Sequence, residues 1–141
     1  MSRYSYGRRS MERLQTCNLS IQRVFYSVIE AGIMDVSIVE GVRSKERQNK
    51  FYKNGKSRLK WPLGKHNVVE PNDLSLAVDA APFIRGAISW DARHCIYLAG
   101  VVCGVGAHMG VRIRWGGDWD MDGEAMTDQD FQDLVHFELI S

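Results

Sequence analysis

The stretch "LAVDAAPF" (76–83) sets one carboxylate, Asp79, inside an otherwise apolar run. An apolar run this short, bounded by polar loops, reads as a buried strand. An aspartate in such a strand is costly unless it is paired or faces a cation. Any fold that accepts the segment must therefore bring compensating groups to Asp79 from elsewhere. A simpler alternative is a buried aspartate that caps a loop.

The chain end raises a related question. In "DFQDLVHFELIS" (130–141), Val135, Phe137 and Leu139 alternate with His136 and Glu138. That is the period of a strand, and it turns His136 and Glu138 to one face. Asp133 stands just before it. Taken alone, these polar residues read as the solvated face of an edge strand.

The rest of the chain supplies a small α+β fold with an antiparallel or mixed sheet packed against helices. Ser10 is expected to cap a helix that ends near Gly32, with Leu14, Ile21, Val24, Phe25, Val28 and Ile29 on its apolar side. A strand over 35–43 follows, leaving through Gly41. Ser44 caps a short helix that stops at Asn54-Gly55. A long polar loop runs to Ser75. After the 76–83 strand come a turn and a short extended piece, then a helix capped by Asp91 and running to about Met109. A strand over 111–115, a long acidic loop and the final strand complete an α-β-α-β-α-β-β order. At 141 residues the chain is most simply one domain over 1–141. Cys17, Cys95 and Cys103 are expected to be free thiols, with no bridge or metal among them.

Of the four histidines, His94 and His108 lie in the apolar helix and read as structural. His66 sits in the polar loop and His136 on the last strand. Two histidines and one carboxylate, with a fourth position for water, are what a catalytic zinc site needs. Zinc would acidify that water and polarise a scissile carbonyl. A separate carboxylate must then carry the proton to the leaving amine, and Asp133 is placed for that.

At this point "GVRSKERQ", "GKH", "LAVDAAP" and "DLVHFEL" together resemble a known group. It contains the D-alanyl-D-alanine carboxypeptidases and L-alanyl-D-glutamate endopeptidases, zinc peptidases that share a fold with vancomycin-resistance dipeptidases and the hedgehog signalling domain. The likeness runs from about Tyr6 to Ile140 and is nearest to the phage endolysins of the group. The resemblance implies that His66, Asp79 and His136 are the zinc ligands and Asp133 the general base. It implies that Arg43 stabilises the oxyanion or holds a substrate carboxylate. It also gives Gln48 a polar contact, to substrate or to Arg43. The chain departs from the pattern between His66 and Asp79. Gly64 stands for a serine, Ser75 for a glycine, and "VVEPND" (68–73) is inserted. Loops take insertions cheaply, so the ligand set can survive while the rim of the site changes.

Charge is uneven. Arg43 to Lys65 holds nine basic residues and one acid, whereas Asp118 to Glu138 holds eight acids and no Lys or Arg. The basic segment suits an anionic envelope. It lacks a recognisable nucleic-acid motif, so no nucleic-acid partner is expected. Asp118, Asp120, Asp122 and Gly123 match the start of an EF-hand calcium loop, but Gln129 stands where a bidentate glutamate belongs. A divalent cation that orders this loop is one reading. An acidic surface loop bonded to its own turns is the other.

The function expected is zinc-dependent cleavage of peptidoglycan stem peptides, at L-alanyl-D-glutamate first. A D-alanyl-D-alanine or L,D-carboxypeptidase is the runner-up, and a non-catalytic zinc-containing binding module is the alternative of another class. No apolar run is long enough to span a membrane and no secretory signal is evident. A monomer is expected. It would be made in the host cytoplasm, reach the periplasmic wall with help from a holin-type protein, and lyse the cell.

Overall fold

The computed structural model describes residues 2–70 and 72–140. Nine elements are formed: α1 (Arg8–Leu14), α2 (Leu19–Ala31), β1 (Val36–Glu40), α3 (Lys45–Lys53), β2 (Ala77–Ile84), β3 (Ala87–Ile88), α4 (Ala92–His108), β4 (Ile113–Gly116) and β5 (Asp133–Leu139). The sheet runs β1-β2-β5-β4, with β3 paired to β2, and every pairing is antiparallel.

The expected single helix from Ser10 to Gly32 is two helices. Cys17 forms a bridge with Ser75 between them, and the Asn18 side chain accepts the Ser20 N–H to start α2. Ser10 is not a cap. Gly7 holds that position, and the buried Ser10 hydroxyl accepts the Ile38 N–H. The helical apolar pattern survives the break because both helices turn the same side to the core. Gly32 ends α2 as expected, at φ +67°, where glycine avoids the Cβ penalty. Ser44 and Asp91 cap α3 and α4 as expected.

One sheet face packs on α2 and α4. Val36, Ile38, Val78, Ala80, Ile113, Trp115 and Phe137 meet Val24, Phe25, Val28, Leu98 and Val102 there. Phe25 and Phe137 touch edge to face, with ring centroids 5.8 Å apart. Burying these side chains supplies most of the stability. The alternation that sends Val78, Ala80 and Phe137 inward sends Asp79, His136 and Glu138 to the opposite face.

Two irregularities complete that opposite face. Strict alternation would send Glu40 to the core with Val36 and Ile38. A bulge between Ile38 and Glu40 instead sets Glu40 across from Asp79. Alternation would also part Asp133 from His136. A register shift after Trp115 pairs Gly116 with Asp133 and breaks the period there. A Cβ at Gly116 would collide with the Asp133 carbonyl, so the close approach requires glycine. β5 is not an edge strand: β2 and β4 flank it, and Glu138 is buried. The solvated-face reading of the chain end is therefore overturned.

Candidate metal centre and cleft

Asp79 and His136 are direct cross-strand partners in β2 and β5. His66 reaches them from the loop after α3. Its backbone carbonyl accepts the Arg43 N–H at 2.9 Å, and its Nδ1 meets the Gly41 carbonyl at 2.8 Å. The exit of β1 thus carries the His66 loop. A Cβ at Gly41 would strike Thr16 and the Arg13 carbonyl, so this exit also needs glycine.

The long loop between His66 and Asp79 still lets the two side chains meet. Leu76 N–H donates to the Lys65 carbonyl at 3.0 Å and closes the loop at its base. Val69, Glu70, Asn72, Asp73 and Leu74 are exposed beyond that closure; Pro71, within the inserted "VVEPND", lies outside the described residues. A Cβ at Gly64 would press on the side-chain ends of Gln48 and Asn67, which would have to shift to admit it. Ser75 is buried, and its hydroxyl accepts the Ala77 N–H.

Three donor atoms converge on this face. His66 Nε2 lies 3.0 Å from Asp79 Oδ1 and 3.2 Å from His136 Nδ1, and His136 Nδ1 lies 3.4 Å from Asp79 Oδ1. All three residues are buried, and they could hold a metal ion. The far nitrogens fix the tautomers. Gly41 offers only an acceptor, so His66 Nδ1 carries the proton and Nε2 the lone pair. His136 Nε2 donates to Glu138 Oε1 at 2.8 Å, which leaves the lone pair on Nδ1. Lone pairs facing one another at this range repel unless a proton or a cation lies between them. Donors held about 2.0–2.1 Å from a tetrahedral ion would lie about 3.3 Å apart, matching the spacing seen.

The charges agree. Burial pushes the Asp79 carboxyl up, but the facing His66 and His136 hold it well below the usual carboxylate range. Burial disfavours the His136 imidazolium, yet Asp79 and Glu138 raise it to about 9. Burial and the Asp79 charge push Asp133 up to about 6. Glu138 is held down at about 2: burial opposes its charge, but His136 and Arg114 outweigh burial.

The surrounding groups include several that sequence reasoning missed. Arg43 Nη2 bridges Glu40 at 3.0 Å and Asp79 at 3.2 Å, and Nη1 donates to Gln48 at 3.0 Å. Among the side-chain nitrogens and oxygens of the described residues, only Arg43 Nε is buried without a hydrogen-bond partner. Gln48 also binds Asn67, Ser57 and the Leu59 carbonyl, so its contact is with Arg43 and this loop. Glu138 Oε2 accepts from Arg114 at 2.6 Å and lies 3.5 Å from Lys65 Nζ. Glu138 therefore orients the His136 ring. Glu40, Trp119 and Phe131 had no signal in the sequence beyond their types. The Trp119 ring lies 5.5 Å from that of His136 and stacks on Phe131.

Arg43, His66, Trp119, Phe131, Asp133 and His136 are among the residues that line a cleft of about 470 Å³. Among the described residues no hydrogen bond holds the Asp133 carboxyl. The other two histidines stand apart: His94 bonds Ser89, and His108 is exposed in the last turn of α4. The three cysteines are free. The acidic loop groups Asp118, Asp120 and Asp122, and separately Asp122, Glu124 and Asp128. Its carboxylates accept the N–H groups of Asp122, Gly123 and Glu124. Gln129 is committed to Trp119 N–H and the Gly116 carbonyl.

Residues 1–140 match the family of phage L-alanyl-D-glutamate peptidases. The chain belongs to that family. The peptidase is 27% identical over 122 residues to the L-alanyl-D-glutamate peptidase of Escherichia phage T5, covering 86% of this chain and 85% of that one. Its fold is similar to the crystal structure of the Serratia marcescens L-Ala D-Glu endopeptidase ChiX. The TM-score is 0.71 at 23% identity, over 96% of this chain and 90% of the other. The α+β architecture expected from the sequence is thereby borne out, as is the peptidase family. No helix among the described residues is long and apolar enough to cross a membrane.

Proposed function

We propose that the peptidase, as one domain over 1–141, cuts the L-alanyl-D-glutamate bond of peptidoglycan stem peptides with one zinc ion held by His66, Asp79 and His136. The observation that carries this reading is the convergence of three buried donor atoms whose lone pairs face one another at 3.0–3.4 Å. A bound zinc would acidify water and polarise the scissile carbonyl. Asp133 then takes the proton from the attacking water and passes it to the leaving amine. Burial raises its pKa, which favours a group that must both accept and give a proton. Arg43 is held by Glu40, Asp79 and Gln48 and lines the cleft, where its guanidinium charge would stabilise developing negative charge. Zinc-loaded protein digesting purified peptidoglycan should yield fragments ending in L-alanine, read by mass spectrometry. Release of free D-alanine alone would reject the endopeptidase reading.

The acidic loop takes a second cation in this proposal, calcium on Asp118, Asp120 and Asp122. Support comes from their carboxyl oxygens lying within 4.8 Å of one another. Crowding is evident at Asp128, which its hydrogen bond to Asp122 pushes up to about 6. Gln129 and Phe131 tie this loop to Trp119, which packs on His136. Calcium should raise the melting temperature and activity of zinc-loaded protein. Equal values in calcium and in a calcium-selective chelator would remove calcium from the account.

The basic segment would draw the enzyme to the anionic envelope. A monomer made in the host cytoplasm would depend on a holin-type partner to reach the periplasmic wall.

A further inference from the structure

The bond named for this family puts a glutamate on its amine side. Glutamate has two carboxyl groups, and a stem that continues through one leaves the other free, a few atoms from the scissile nitrogen. A cleft that admits this residue must meet a negative charge there. Five cations line the cleft: Arg43, Lys56, Arg58, Lys65 and Arg114. Arg43 is committed to Glu40 and Asp79, and Lys65 and Arg114 to Glu138. Lys56 and Arg58 have no carboxylate partner among the described residues. Lys56 lies 5.7 Å from the Phe51 ring centroid, on the α3 side. Arg58 instead lies over Phe131, on the run into β5, its guanidinium carbon 5.0 Å from that ring's centroid. Phe131 stacks on Trp119, and Trp119 packs on His136, so an aromatic row leads from Arg58 to the metal-binding face. A guanidinium resting on an aromatic ring keeps its N–H fork for a carboxylate, which it can grip with two hydrogen bonds.

We infer that Arg58, held over Phe131 in the cleft, is the specificity residue for the free carboxylate of the substrate's D-glutamate. The inference rests on the endopeptidase reading above. Arg58 binds a group that does not react, so it stabilises the bound substrate and the transition state alike. Its loss should therefore raise KM and spare kcat.

The test uses two synthetic stem peptides and the zinc-loaded protein. One carries L-alanyl-D-glutamate with the free carboxylate; the other has that carboxylate converted to an amide. Wild type should cleave both and favour the acid roughly tenfold in kcat/KM, as a charge-assisted bond at a partly exposed site allows. Arg58→Gln should lose that preference through KM on the acid peptide, with the amide peptide little changed, and Arg58→Lys should retain part of it. Metal content and melting temperature should stay at wild-type values in both variants. Equal cleavage of the two peptides by wild type, or an undiminished preference in Arg58→Gln, would overturn the inference and leave the endopeptidase reading standing. Cleavage of neither peptide by wild type would instead bring down that reading, and this one with it.

Discussion

Asp133→Asn should lose cleavage by about 10²- to 10⁴-fold while the protein keeps its metal, because the substitution removes only the proton carrier. The same variant should be more stable than wild type when both are metal-free. Burial and the Asp79 charge raise the Asp133 pKa to about 6, from the ordinary 3.8. A carboxyl whose folded pKa is raised destabilises the fold once ionised. The penalty is absent below the ordinary value, grows between about 3.8 and 6, and is complete above that. An uncharged amide escapes it, by roughly 1–3 kcal/mol at neutral pH. A cation on the facing donors favours the carboxylate, so activity should fall on the acid side at or below about pH 6. Metal content, urea denaturation and a pH–rate profile together separate this role from a structural one. Wild-type activity, or a loss of activity that tracks a loss of stability, would reject Asp133 as the base.

Asp79→Ala should damage both the metal site and the fold. Asp79 supplies one of the three converging donors and accepts from Arg43 Nη2 at 3.2 Å. Removing it leaves two histidine lone pairs with no anion beside them, so zinc affinity should drop by more than the 10–100-fold that loss of an outer partner costs. Arg43 keeps Glu40 at 3.0 Å but loses its second carboxylate in a buried setting. Breaking a buried pair costs about 3–5 kcal/mol, and the surviving Glu40 contact should hold the loss near the lower end. Chelator competition and urea denaturation of metal-free protein read the two effects separately. Unchanged zinc affinity would remove Asp79 from the ligand set.

Much of this could be read from the residues because local signals and long-range demands coincide. The carboxylate in "LAVDAAPF" announces its own cost, and the caps at Ser44 and Asp91 mark helix starts by the hydroxyl and carboxylate that hold them. The break between α1 and α2 was hidden because Leu14 and Ile21 keep the helical phase across it. Its cause, the pairing of Cys17 with Ser75, is long-range. Strand order was equally hidden: alternation in β5 shows two faces but not that β4 covers its free edge. The role of Glu40 depends on a bulge that reverses the period of β1, and the closeness of Asp133 to His136 depends on a register shift beside Gly116. Neither irregularity has a mark in a short sequence window. Glu138 looked like a surface polar residue until Lys65 and Arg114 were seen to converge on it from other elements.

A single zinc ion on His66, Asp79 and His136 is proposed to serve cleavage between L-alanine and D-glutamate. Digestion of purified peptidoglycan, analysed by mass spectrometry on a preparation whose metal content is assayed, tests it most directly. The expected result is one zinc per chain, fragments newly ending in L-alanine with partners beginning in D-glutamate, loss of both on chelation, and recovery with added zinc. Free D-alanine as the sole product, or a digest unchanged after the metal is removed, would contradict it.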